Sequence, residues 1–340
     1  MPLPIAINGV GRIGRALFRR LLDHPELDLV ALNDKTPGER LVPLLARDTF
    51  HGPLTGSVEL VDDHLLLADR RIRLFRQTDP AAIPWGETGA RLVVEATGSL
   101  TAGRDAAAHL GDGVDHVVIS ANAPEADLTV CFGVNHDLVR ADEHRLLSAA
   151  SCTTNCLAVV AHVLDTELGI DHALLNTVHC YNTDQPLTDA DHADPRRARA
   201  AAVNMVPTTT GASSAIGRVL PRLDGRLDGF AVRVPAAQVS MVDLVAELAV
   251  ETDAAAIESL FRRAASGPME PVLAVAYEPL VSTDFVGDTH SAVVDIALTQ
   301  IVAGRMVRVV AWYDNEMGYA SRLADLADWI GRRTGTIASP

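Results

Sequence analysis

Ile5-Ala6-Ile7-Asn8-Gly9-Val10-Gly11-Arg12-Ile13-Gly14 decides how this 340-residue chain is read. A short apolar strand runs into three glycines at G-x-G-x-x-G spacing, followed by an amphipathic helix from about Arg12 to Leu22. The first glycine permits a tight turn, the second lets the backbone approach a pyrophosphate, and the third allows the helix to pack closely on the strand. A pyrophosphate would sit on the helix N-terminus, where unpaired N–H groups and the macrodipole favour anions. A second strand, Leu27 to Leu32, ends in Asn33-Asp34 and places a carboxylate where this fold presents an acid to an adenosine ribose. Asp34 is expected to accept hydrogen bonds from both ribose hydroxyls and to repel a 2′-phosphate, which favours NAD over NADP.

Further apolar strands are expected at Leu92 to Ala96, His116 to Ser120 and Leu128 to Phe132, with a helical stretch from Ala102 to Leu110. Alternating strands and helices imply an α/β Rossmann-type, doubly wound parallel sheet. Thr97-Gly98 and Ser120-Ala121-Asn122 fall at carboxyl ends of strands, where ligands of such sheets bind. The expected division is a dinucleotide domain over residues 1–151, rejoined by a C-terminal helix over 315–335, and a catalytic domain over 152–314.

Ser151-Cys152-Thr153-Thr154-Asn155-Cys156 carries the second signal, a thiol between hydroxyls at the start of a helix running through Leu157 to Leu168. Unpaired N–H groups and the macrodipole at a helix start favour thiolate, so a lowered Cys152 pKa is expected. A base is needed nearby, and His179 ends a β-rich run, Leu174 to Val178. The segments Phe230 to Val234, Val239 to Val250 and Arg305 to Trp312 read as strands, with Ala254 to Ala265 as the one clear helix among them. These give an α+β domain with a mostly antiparallel sheet. The polar loop from Gln185 to Ala202 is long enough to suggest function or contact with another subunit. Thr208-Thr209-Thr210-Gly211, Arg233 and Arg196-Arg197-Ala198-Arg199 offer hydroxyls, amides and guanidinium forks suited to phosphate. Cys152, Cys156, His179 and Cys180 are residue types that bind zinc, but their spacing is poor and no metal is expected.

Net charge of -15 argues against non-specific binding to nucleic acid or an anionic membrane surface. The apolar runs are too short to span a bilayer, and Met1-Pro2-Leu3-Pro4 leads straight into a strand, so neither a membrane span nor a signal peptide is expected. Four cysteines in so long a chain make no disulfide framework, as a reducing cytoplasm predicts. Lys35 is the only lysine, so any phosphate must be held mainly by arginine.

Ile7 to Arg15, Ser151 to Cys156, Thr177-Val178-His179, Thr209-Thr210-Gly211 and Trp312-Tyr313-Asp314-Asn315-Glu316 together resemble the phosphorylating glyceraldehyde-3-phosphate dehydrogenase family, in the family's order over nearly the whole chain. The resemblance implies a glycolytic, NAD-dependent aldehyde oxidoreductase with Cys152 as nucleophile and His179 as base. It implies cofactor contacts at Asn8, Gly9, Gly11, Arg12, Ile13, Gly14, Asp34, Thr97, Gly98, Ser120 and Asn315. By the same likeness Ser151, Thr153, Asn182, Arg197, Thr210, Gly211 and Arg233 would line the pocket for the phosphorylated aldose and inorganic phosphate. A cytoplasmic homotetramer is implied, its long loop approaching a neighbour's cofactor. The chain departs from the pattern at Cys180-Tyr181-Asn182, usually Ala-Tyr-Thr, and at Ala190-Asp191, usually Leu-Pro. Those departures admit an erythrose-4-phosphate dehydrogenase or an arsenate-detoxification paralogue as alternatives, and a non-catalytic scaffold is the rival from another class.

Overall fold

Residues 1–338 are described by a computed structural model, in which the chain divides into two units, 1–150 with 320–338, and 151–319. The first unit is built on a nine-stranded sheet. Its strands run in the order Leu128–Thr129, Leu146–Ser148, His116–Ile119, Leu92–Glu95, Leu3–Asn8, Leu27–Asn33, Arg70–Phe75, His64–Leu67, Glu59–Val61. The first seven are parallel, and the last two add an antiparallel edge. Leu92–Glu95 and His116–Ile119 are buried at every position, as a strand covered on both faces requires. The chain leaves Leu3–Asn8 toward Leu27–Asn33 on one side and later places Leu92–Glu95 on the other. The glycine turn after Asn8 therefore lies where the winding reverses, at the carboxyl ends of the strands.

Two expected elements come out shorter. The stretch from Ala102 to Leu110 is α-helical only over Gly103–Ala106 and continues as a tight 3₁₀ turn over Ala107–His109. Leu128 to Phe132 pairs only over Leu128–Thr129, because Asn135 draws the chain away by bonding the Thr129 carbonyl and the Cys131 amide.

The second unit holds a seven-stranded sheet in the order Val206–Thr208, Leu227–Val234, Ile170–Cys180, Ser240–Leu248, Met306–Tyr313, Ala292–Val302, Leu273–Ala276. Four of its six pairings are antiparallel, while Ile170–Cys180 with Leu227–Val234 and Leu273–Ala276 with Ala292–Val302 run parallel. Helix Cys152–Leu168 is buried along most of its length and packs on this sheet, which explains why its middle, Cys156 to Ala161, is continuously apolar. A second helix, Ala212–Val219, corrects the reading of Ala254–Ala265 as the one clear helix of this region. Gly211, the two serines and Gly217 mask its propensity. Gly217 is required there, because a Cβ would stand 2.4 Å from Asp224 Oδ1. The last helix begins two residues later than expected, at Met317, capped by Asp314 Oδ1, which accepts from the Glu316 and Met317 amides.

Candidate active site and dinucleotide cleft

In the first unit a cleft of about 410 Å³ opens at the strand ends, lined by Asn8, Gly9, Gly11, Asp34, Gln77 and Thr97 among others. The three glycines meet different demands. Gly9 has φ +98°, and a Cβ on it would lie 2.6 Å from the Thr97 amide nitrogen. A Cβ on Gly14 would lie 2.0 Å from the Gly9 carbonyl oxygen, so the helix could not seat on the turn. Gly11 is exposed and a Cβ there would meet nothing within 4 Å. The space it leaves is open to a ligand, which suits a phosphate drawn onto the start of Arg12–Leu22.

Asp34 follows the neighbouring strand and serves the turn directly. Its Oδ2 accepts from the Val10 amide at 2.7 Å and its Oδ1 from the Thr36 amide at 2.8 Å. Each oxygen keeps a second lone pair, so the acid can brace the turn and still accept from a hydroxyl. Arg12 pairs with Asp48 and lies over the Phe50 ring, 5.5 Å from its centroid. Ile13 is half-buried in the first turn of that helix, Gly98 has φ +72°, and the Ser120 amide donates to the Glu95 carbonyl. The sequence reading did not assign Asp48 or Glu95; an acid closing the apolar run Leu92-Val93-Val94 was the available signal.

The second unit assembles the thiol pocket. Ser151 caps helix Cys152–Leu168 by accepting from the Thr154 amide at 3.1 Å, which leaves Cys152 in the first turn. Cys152 Sγ stands 3.8 Å from His179 Nε2. On the far side of the ring, Nδ1 is 2.7 Å from the Cys180 carbonyl oxygen, which can only accept. The tautomer with its hydrogen on Nδ1, bonded to that carbonyl, leaves the Nε2 lone pair facing the thiol, while Arg233 Nη1, which can only donate, competes for Nδ1. Arg233 Nη1 donates to the same carbonyl at 3.0 Å and lies 2.8 Å from Nδ1. Register explains the meeting, since His179 and Arg233 are direct partners on adjacent parallel strands. The Tyr313 ring stands edge-on to His179, and its hydroxyl bonds Thr153 Oγ1 at 2.8 Å.

Electrostatics in this pocket correct one expectation. Burial pushes the Cys152 thiol up, and outweighs the Arg233 charge and the Thr153 amide and hydroxyl, which pull it down. A helix start lowers a thiol most where solvent also reaches it. Burial and the Arg233 charge hold His179 at about 3, so the imidazole is neutral through most of the pH range.

The anion-binding candidates are placed unevenly. Arg233 Nε is buried with no hydrogen-bond partner among the described residues, a donor without an acceptor. Arg197 is braced by Thr208 Oγ1 at 2.8 Å, Asp184 at 3.2 Å and Asp194 at 3.6 Å, and its charge reaches His179. Thr210 Oγ1 accepts from the Ala212 amide, starting helix Ala212–Val219 just after exposed Gly211. Asn182 is exposed, and its amide donates to Gln185 Oε1 at 3.4 Å. Asn315 Oδ1 accepts from the Val239 amide at 3.0 Å and from the Cys180 thiol at 3.2 Å. It thereby holds Val239 at φ +66°, a conformation a β-branched residue adopts only under constraint. No cluster of three or more metal-ligating side chains occurs among the described residues.

Comparison with known proteins adds an independent line. The model of the glyceraldehyde 3-phosphate dehydrogenase NAD binding domain matches residues 3–103, and that of the C-terminal domain matches residues 151–315. Glyceraldehyde-3-phosphate dehydrogenase 1 of Bacillus cereus is 46% identical over 326 residues, 96% of this chain and 98% of the relative. The glyceraldehyde-3-phosphate dehydrogenase of Geobacillus stearothermophilus is 45% identical over 98% of this chain and 99% of its own length. That of Kitasatospora aureofaciens is 47% identical over 97% and 99%.

Proposed function

We propose, from the premise that the chain belongs to the glyceraldehyde-3-phosphate dehydrogenase family, that it oxidises D-glyceraldehyde 3-phosphate to 1,3-bisphosphoglycerate with NAD and inorganic phosphate. The observation that carries this reading is Cys152 Sγ at a capped helix start, 3.8 Å from Nε2 of the buried His179 imidazole. Cys152 attacks the aldehyde while His179 Nε2 takes the thiol proton and returns it to the developing alkoxide oxygen, forming a hemithioacetal and leaving the imidazole neutral again. The Thr153 amide in the first helical turn is a donor for the oxygen that becomes negative. NAD, when bound, supplies the hydride acceptor that turns this adduct into a thioester. His179 removes the hydroxyl proton in that step, and the neighbouring Arg233 charge ensures that the proton is soon passed on. Arg233, with its unpaired Nε, Ser151, Thr153, Thr210 and Gly211 hold phosphate groups; Asn182 adds an amide at the pocket rim, and Arg197 adds charge from its braced position. Inorganic phosphate then attacks the thioester and releases the acyl phosphate.

In the first unit Asn8, Gly9, Gly11, Arg12, Ile13, Gly14, Asp34, Thr97, Gly98 and Ser120 are the residues we assign to NAD. We assign the division at residues 151 and 315 the roles of cofactor and catalytic domains, as the sequence reading had it. The protein acts as a cytoplasmic homotetramer in this account. No helix of the described residues is long and apolar enough to cross a membrane. Leu174 and Phe230 are 67% and 49% exposed on one face of the second sheet, and Leu187 is 80% exposed on the long loop. Apolar groups of that size suit burial against further copies of the chain. Reduced-cofactor formation from D-glyceraldehyde 3-phosphate tests the reading: it is expected to require phosphate and to prefer NAD to NADP. Turnover indifferent to phosphate would overturn it.

A further inference from the structure

Beneath the cleft of the first unit lies a buried polar network centred on Glu95, a residue to which the proposed chemistry gives no role. Glu95 is 2% exposed and ends an apolar strand. Four donors reach its carboxylate: the Thr97 amide at 2.8 Å and the Thr97 hydroxyl on Oε1, Asn8 Nδ2 at 2.6 Å and His109 Nε2 at 3.1 Å on Oε2. His109 is fixed as a neutral donor, because Trp85 Nε1 donates to its Nδ1 at 3.2 Å and leaves the hydrogen on Nε2. None of these four donors carries a formal charge, yet together they satisfy an ionised acid.

Register passes the consequence sideways. Glu95, Asn8 and Asn33 are direct partners across three adjacent parallel strands. The anion demands a donor from Asn8, so Asn8 turns its Oδ1 toward Asn33 Nδ2, 2.7 Å away. That turns Asn33 so that its Oδ1 accepts from the Gln77 amide at 2.8 Å and its Nδ2 donates to the Gln77 carbonyl at 3.0 Å. One buried charge thus orients two amides and clips a loop at the far wall, while Thr97 forms the near wall. Asn8, Asn33, Gln77 and Thr97 all line the cleft.

We propose that Glu95 is a positioning residue for NAD, its charge setting the direction of the Asn8–Asn33 ladder and so the spacing of the Thr97 and Gln77 walls. This rests on the NAD assignment above, and saturable NAD binding to the wild-type protein checks that assignment separately. Glu95→Gln puts an amide where two acceptors are needed, so a donor must face a donor either at Thr97 or at Asn8 and His109. By calorimetric titration with NAD, Glu95→Gln is expected to weaken Kd by about tenfold or more, while kcat at saturating NAD and KM for the aldehyde change by less than about twofold. The double variant Asn8→Asp/Glu95→Gln moves the charge one rung along. The new carboxylate accepts from Asn33 Nδ2, from the amide replacing Glu95, and from His109 Nε2, already 3.3 Å from Asn8 Nδ2. It is expected to recover most of the lost affinity. Should Glu95→Gln fold poorly, Asn33→Ser cuts the ladder at its other end and must weaken NAD similarly. A Kd within about twofold of wild type in the folded single variant, or a double variant weaker than Glu95→Gln, would overturn the proposal.

Discussion

The glycine turn of the first unit and the thiol pocket of the second solve opposite problems. The turn makes room by leaving side chains out: Gly9 and Gly14 let backbone meet backbone, and Gly11 leaves space that nothing in the protein fills. The thiol pocket does the reverse, crowding a nucleophile, a base and a guanidinium into a desolvated space where each alters the others' proton affinity. A site defined by absent side chains can be read from spacing alone, whereas a site defined by mutual electrostatics depends on burial, which no motif records.

The largest effect should separate the two regions completely. Cys152→Ser is expected to lower kcat by about 10⁴-fold or more while leaving the melting temperature and NAD affinity unchanged, as measured by steady-state assay, calorimetry and titration. Loss of NAD binding in that variant would show the regions to be less separable than described.

Next in size comes a contrast inside the turn. Gly14→Ala meets the Gly9 carbonyl and is expected to destabilise the protein by about 3 kcal/mol in urea unfolding, the upper end for overpacking. Gly11→Ala should unfold like wild type and bind NAD more weakly. Equal behaviour of the two variants would remove the distinction between a packing glycine and a ligand glycine.

Acid should probe the pocket through His179. Its folded pKa of about 3 lies below the unfolded value of about 6.5, so the unfolded chain binds the proton first as pH falls. The stabilising contribution is complete above about pH 6.5 and is lost progressively down to about 3. His179→Asn should flatten the loss of stability in that window by up to about 1.4 kcal/mol per pH unit, measured by denaturant unfolding at several pH values. A slope unchanged by the substitution would contradict a buried neutral imidazole.

The smallest effect concerns Arg233, which favours the Cys152 thiolate and opposes an imidazolium. Arg233→Met should move the pH profile of Cys152 alkylation upward by about one unit. A downward shift would mean that its effect on His179 dominates.

Much of the first unit was legible because its signals are local. A strand, three glycines and an acid 20 residues after Gly14 suffice for the Rossmann-type winding. The second unit was legible at Ser151-Cys152, where cap and thiol are adjacent, and at His179, which ends a strand. Helix Ala212–Val219 was hidden by glycines and serines whose reason is tertiary, Gly217 making way for Asp224. The raised Cys152 thiol was hidden because burial arises from the whole pocket. The Glu95 ladder was hidden because its rungs lie 25 and 87 residues apart in the chain and meet only through strand register.

The central claim is that Cys152 carries the acyl group and that phosphate removes it. Mass analysis of the Cys152 peptide after mixing enzyme, NAD and D-glyceraldehyde 3-phosphate without phosphate tests this most directly. The account predicts one acyl group on Cys152, discharged rapidly when inorganic phosphate is added and only slowly by water. An unmodified Cys152, or an acyl group that water removes as fast as phosphate does, would contradict it.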